Sequence, residues 1–129
     1  MSVTEAIQRA NALLPGEPAP EGREDPRWQA IIEVGKYIET SPDAVWQFAR
    51  RWASHPQEDL RDAIACCLLE HLLEHHFPLI LPRIEQAIVE DRLFADTFCR
   101  CRKFGLTETR EHSEAFDRLQ AQCKERLDK

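Results

Sequence analysis

Residues 57–76 read QEDLRDAIACCLLEHLLEHH, and this stretch decides the fold. Ala65, Cys66, Leu68, Leu69, Leu72 and Leu73 recur at helical spacing, with no alternation of the kind a strand requires. They cover much more than the ~100° stripe of a surface helix, which predicts a central helix packed on both sides. Phe77-Pro78 interrupts this helix and His55-Pro56 ends the one before it. Proline lacks the N–H that a helix interior needs and pushes the preceding residue out of helical backbone.

Outward from this centre, helix signals recur. Val3, Ile7, Ala10 and Leu14 mark one face of a first helix over 3–14. Residues 15–25, which include PGEPAPEG, break the pattern and form the loop between the first two helices. A second helix is predicted over 26–39, carrying Trp28, Ile31, Ile32, Val34 and Ile38. Ser41-Pro42 supplies an N-cap and a first-position proline for a third, over 42–53, with Val45, Trp46, Phe48, Ala49 and Trp52. After Phe77-Pro78 a fifth helix runs to Val89, and Glu90-Asp91 opens a sixth that reaches Lys103, with Gly105 as its C-cap. Thr107 is placed as the cap of a last helix carrying Phe116, Leu119, Cys123 and Leu127. No segment shows a sustained period of two, so no sheet is predicted. The fold class is therefore all-α: a single domain over 1–129 of about seven helices, either stacked as a short solenoid or gathered in an irregular bundle.

Length and charge narrow the function classes. A chain of 129 residues suits one domain that buries roughly two thirds of its unfolded surface, so no disulfide or metal is needed to hold a core. The apolar stretches fall short of the ~18–20 residues of a membrane span, and Met1-Ser2-Val3-Thr4-Glu5 lacks the order of a signal peptide. A cytoplasmic protein with no membrane partner is expected. The five cysteines, Cys66, Cys67, Cys99, Cys101 and Cys123, are expected to be reduced thiols acting as small hydrophobes. The net charge of −6 argues against avid nonspecific binding to nucleic acid, although residues 92–104 carry Arg92, Arg100, Arg102 and Lys103 against Asp96 alone.

Glu24-Asp25-Pro26-Arg27 and Glu58-Asp59-Leu60-Arg61 share Glu-Asp-x-Arg at a separation of 34 residues, and Glu90-Asp91-Arg92 follows the second by 32. A period in this range, built from helix pairs, points to a helical solenoid. Asp59-Leu60-Arg61, followed by Ile64, Ala65 and Leu68, resembles the start of the second helix in HEAT and armadillo repeats. Asp25-Pro26-Arg27 is a partial copy, and the third departs further because its arginine comes one place early. The resemblance spans about residues 3–104 and implies that Asp25, Arg27, Asp59 and Arg61 bond between neighbouring repeats.

Three constellations could carry chemistry. His71-Leu72-Leu73-Glu74-His75 matches the H-x-x-E-H pattern of inverted zinc peptidases, and residues four apart share a helix face, so His71 and His75 could bind one metal, with Cys67 a turn earlier. A third ligand is not marked, and the peptidase family has a much larger α+β fold. Cys99-Arg100-Cys101 with Cys66-Cys67 could form a four-thiolate site, but the spacings are not the usual C-x₂₋₄-C of zinc centres. Arg100, Arg102 and Lys103 beside Phe104, with Trp28, Trp46 and Trp52, are similar in type to the basic and aromatic surface of the HEAT-like DNA alkylation-repair glycosylases. Those enzymes are longer, and this chain is acidic.

The preferred expectation is a non-enzymatic module that binds a protein or peptide, or a second copy of itself, on a concave face of second helices. That face would carry Lys36, Tyr37, Glu70, His71, Glu74, His75, Arg100 and Lys103. No cofactor is expected. The alternatives are a nucleic-acid-binding HEAT-like module and a metal-dependent hydrolase using His71, Glu74 and His75.

Overall fold

The computed structural model describes residues 1–128, and among these every regular element is helical. Helix α1 spans Val3–Leu13, with the Ser2 hydroxyl accepting the Glu5 amide at 3.1 Å. Its small Ala6 and Ala10 are fully buried, which lets it lie close against α2 and α3. The loop expected over 15–25 separates it from α2, Pro26–Gly35. There Pro26 holds the first turn and the Asp25 carboxylate caps it by accepting the Arg27 amide at 2.9 Å. Helix α2 ends earlier than expected, at Gly35, and residues 36–40 are turns. Helix α3, Pro42–Trp52, starts at the predicted proline, although the Ser41 side chain makes no capping bond.

The decisive stretch forms α4, Glu58–Ile64, a π turn, Ala65–Leu69, and α5, Glu70–Glu90. Leu68, Leu69, Leu72 and Leu73 are all sealed from solvent, and this run packs on α2, α3 and α6. It is the central helix that its apolar breadth requires. The expected interruption at Phe77-Pro78 appears as a break in α5 at His76, whose backbone leaves the helical region at φ −138°, ψ 42°. Pro78 causes it: the ring collides with the Glu74 carbonyl and offers no N–H to it. The His76 ring meets the Ile38 carbonyl at 3.0 Å, tying the bend to the turns after α2.

One expectation about apolar length is corrected. Glu58–Glu90 contains an 18-residue window apolar enough to cross a membrane by length and composition. Packing accounts for that hydropathy, since 56% of the window is buried inside the domain and a π turn and a bend interrupt the run.

Helix α6, Arg92–Cys99, opens at Asp91, whose carboxylate accepts the amides of Leu93 and Phe94 at 2.9 and 3.2 Å. It stops four residues before Lys103, so Gly105 does not cap it. Gly105 instead opens a short 3₁₀ turn, Gly105–Glu108, at φ +53°. A Cβ there would lie 2.4 Å from Glu74 Cγ, so the loop rests directly on the central helix where it bends. Thr107 is buried within this turn, its hydroxyl has no partner, and the N-cap position of α7, Arg110–Leu127, falls to Thr109. Phe116, Leu119 and Cys123 of α7 close the core over α6, with Phe98 and Phe116 edge to face at 5.1 Å.

Candidate functional site

A surface groove of about 500 Å³ lies between α2 and the central helix, lined by Ile32, Gly35, Lys36, Ile38, Glu39, Cys66, Cys67, His71 and His75. Gly35 sets its depth. A Cβ on Gly35 would stand 3.3 Å from the Cys67 carbonyl, so the two helices approach backbone to backbone. The π turn lies opposite and displays Cys66 and Cys67 on consecutive residues. Such turns are frequent at functional sites because they re-aim side chains without ending the helix.

The groove is mixed in character. Ile32 is an apolar side chain left 43% exposed at its wall. Lys36 carries a cation that the Glu33 carboxylate approaches at 2.8 Å. At the far end, His71 Nδ1 meets Glu74 Oε1 at 2.7 Å, His75 Nδ1 lies 3.2 Å from Glu39, and His75 Nε2 lies 3.4 Å from Glu74. Phe104, itself partly exposed, stacks on the His71 ring at 5.8 Å.

This arrangement divides the eight residues expected on one face. Lys36, His71 and His75 line the groove, and Glu74 bridges the two histidines. The other four lie outside the groove. Glu70 is 4% exposed and points inward, where it accepts the Arg102 amide at 3.0 Å. Tyr37 donates its hydroxyl to the Met1 carbonyl. Arg100 sits among Glu58, Asp62 and Asp96 at 3.0, 2.5 and 3.0 Å. Lys103 reaches Ser113 and Asp117 on α7. With Arg100 and Lys103 engaged by carboxylates, the basic run expected over 92–104 presents no continuous cationic stripe.

The four cysteines weighed as a thiolate site do not converge on one point. Cys101 is buried against the carbonyls of Ala65 and Thr97, and the free Cys99 thiol neighbours that of Cys123 rather than the Cys66-Cys67 pair. Burial pushes Cys123 up to about 12 and raises Cys99 and Cys101 as well, which favours the neutral thiol at all three. The Cys66 and Cys67 sulfurs lie 3.9 Å apart. The bond from the Cys67 thiol brings Cys66 down to about 7, outweighing burial and the nearby Glu70 and Asp62 carboxylates, while Cys67 itself is raised. Among the described residues no three His, Cys, Asp or Glu side chains converge as a metal cluster, and His71 and His75 are turned to carboxylates.

Sequence reading missed Ile32, Gly35 and Glu39. Gly35 carried a usable signal, since a glycine inside an apolar helix pattern often marks a close backbone approach.

The four repeat residues fall into two separate ion-pair clusters. Arg27, 2% exposed, bonds Asp25 at 2.9 Å, Gln57 at 2.7 Å and, across to α4, Asp59. Arg61 bonds Asp96 of α6 at 3.0 Å, and Asp96 also takes Arg100. The expected third copy, Asp91, plays another part, capping α6 and facing Arg50 at 3.6 Å. No family model, curated protein or solved structure matches this chain.

Proposed function

We propose that the chain is a non-enzymatic interaction module whose groove between α2 and the central helix takes an extended peptide segment of a partner protein. The observation that carries this reading is the lining itself. An exposed isoleucine, a cation, a carboxylate and two imidazoles surround an open cleft of about 500 Å³, a mixture suited to a peptide with both apolar and polar side chains. A short HEAT-like solenoid accompanies the reading. In its support, Arg27 at the start of α2 reaches Asp59 at the start of α4, and Arg61 reaches Asp96 on α6, so the helix pairs are linked in series.

The test is selection from a random peptide display library, with affinities of the enriched peptides measured by fluorescence anisotropy. Ile32→Asp is expected to weaken binding by about tenfold or more, the scale of one buried aliphatic side chain, while Val89→Asp, outside the groove, leaves it unchanged. Enriched peptides indifferent to Ile32→Asp, or no enrichment at all, would overturn the reading. Salt-dependent binding of a DNA duplex in the same assay would move the assignment to nucleic acid.

A further inference from the structure

We propose that Cys66 and Cys67 form a dithiol site that chelates a thiophilic centre accepting two thiolates, of the chemical class of a trivalent arsenical. The site is independent of what the groove binds.

Four observations carry it. Both side chains line the same open groove, with Cys66 exposed and Cys67 half-buried. Their sulfurs stand 3.9 Å apart. Arsenic(III) is pyramidal, so two sulfurs bound to it at about 2.3 Å with an angle of ~100° stand roughly 3.5 Å apart, and a small side-chain rotation closes the pair from 3.9 Å onto that bite. The π turn explains how neighbours achieve this. In an α-helix, consecutive side chains diverge by about 100°, and the wider i→i+5 turn over Ala65–Leu69 reduces that angle. The hydrogen bond between the two thiols, finally, favours loss of the first proton from the pair, and the thiolate is the ligating form.

Geometry also separates chelation from oxidation. A disulfide needs Cα atoms at least about 4.4 Å apart, whereas consecutive Cα atoms lie about 3.8 Å apart, so direct S–S closure would distort the helix. A bridging atom between the sulfurs removes that conflict. With an arylarsenic(III) oxide the step balances without an oxidant. Two As–S bonds form, the arsenic–oxygen bond breaks, both thiol protons leave with the oxygen as water, and arsenic stays trivalent. Because no third side chain among the described residues completes a metal cluster, a centre satisfied by two protein ligands fits best.

Phenylarsine oxide is the probe. One adduct per chain is expected by intact mass, resistant to excess glutathione and removed by dimercaptopropanol, because a chelate exchanges with dithiols far more readily than with monothiols. Cys66→Ser and Cys67→Ser should each abolish the resistant adduct, and Cys123→Ser should retain it, with far-UV circular dichroism confirming the fold of each. In the unsubstituted protein the arsenical should protect both Cys66 and Cys67 from iodoacetamide in peptide mapping. A glutathione-resistant adduct in either single variant, protection confined to other cysteines, or no adduct in the unsubstituted protein would overturn the assignment.

Discussion

At the scale of single residues, the informative positions are polar groups that the core has taken in. Glu70 lies in the apolar run of the central helix and is buried, and its carboxylate accepts the Arg102 amide at the start of the loop after α6. Burial raises its pKa above the ordinary 4.5, and the Arg102 amide bond offsets only part of the shift. A carboxyl with a raised native pKa binds its proton more tightly in the folded chain. Its contribution to stability is therefore complete below 4.5 and is lost as pH rises through the native value. Glu70→Gln keeps an acceptor and removes the titration. We expect the stability difference between wild type and Glu70→Gln, from urea unfolding at a series of pH values, to shift against wild type as pH climbs above 4.5 and then level off. A difference independent of pH would show that Glu70 does not titrate in this way. Sequence alone placed Glu70 on an exposed face because glutamate is rarely buried. Only the loop folding back over α5 supplies the amide that makes burial tolerable.

At the scale of elements, caps and prolines were readable and the extent of helices was less so. Asp91 starts α6 and Pro26 and Pro42 start α2 and α3, each by local chemistry that needs no distant partner. Asp91 also gains from Arg50. Burial alone would raise its carboxyl, but bonds from Ser54 and from the Phe94 and Leu93 amides, together with Arg50, hold it below the usual aspartate value. Asp91→Ala should cost about 1–2 kcal/mol, read as a lowered thermal midpoint with faster amide exchange confined at first to the start of α6. Uniform exchange throughout the domain would argue that the cap is not local. The ends of helices were harder because tertiary contacts decided them. Helix α6 stops at Cys99 once residues 100–104 are drawn off by Arg100 to the acidic cluster and Lys103 to α7. Gly105 reads locally as a C-cap, yet its positive φ serves a crossing over Glu74 with no room for a Cβ.

At the scale of the whole molecule, the ion pairs running from Asp25 through Arg27 to Asp59, and from Arg61 to Asp96 and Arg100, tie three successive parts of the chain together. Arg27→Ala removes the most buried of these charges and should cost about 3 kcal/mol. A double-mutant cycle with Asp59→Asn should return a coupling energy of about 1 kcal/mol or more. A coupling near zero would mean that Arg27 matters only through Asp25 and Gln57. The bond from Arg27 holds Asp25 below its ordinary 3.8. For Asp96, burial acts to raise the pKa, and the bonds from Arg61 and Arg100 together overcome it. Carboxyls lowered in this way stabilise the fold above 3.8, and that stability is lost as pH falls through their native values.

The sequence by itself determined the helical class, the central place of residues 57–76, the loop over 15–25 and most helix starts, because periodicity, proline and capping residues act over a few neighbours. It could also show which residues share one helix face, and the structure places His71, Glu74 and His75 side by side. Only the tertiary structure decided which faces meet. It joined the His71–His75 face to Ile32 of α2 and to Lys36 and Glu39 of the turns after it, sent Arg100 and Lys103 to other surfaces, and turned two adjacent cysteines toward one groove. The physical reason is that a groove is made by the approach of two helices, here permitted by Gly35 against the Cys67 carbonyl, and the distance between helices is set by packing across the chain rather than by spacing along it.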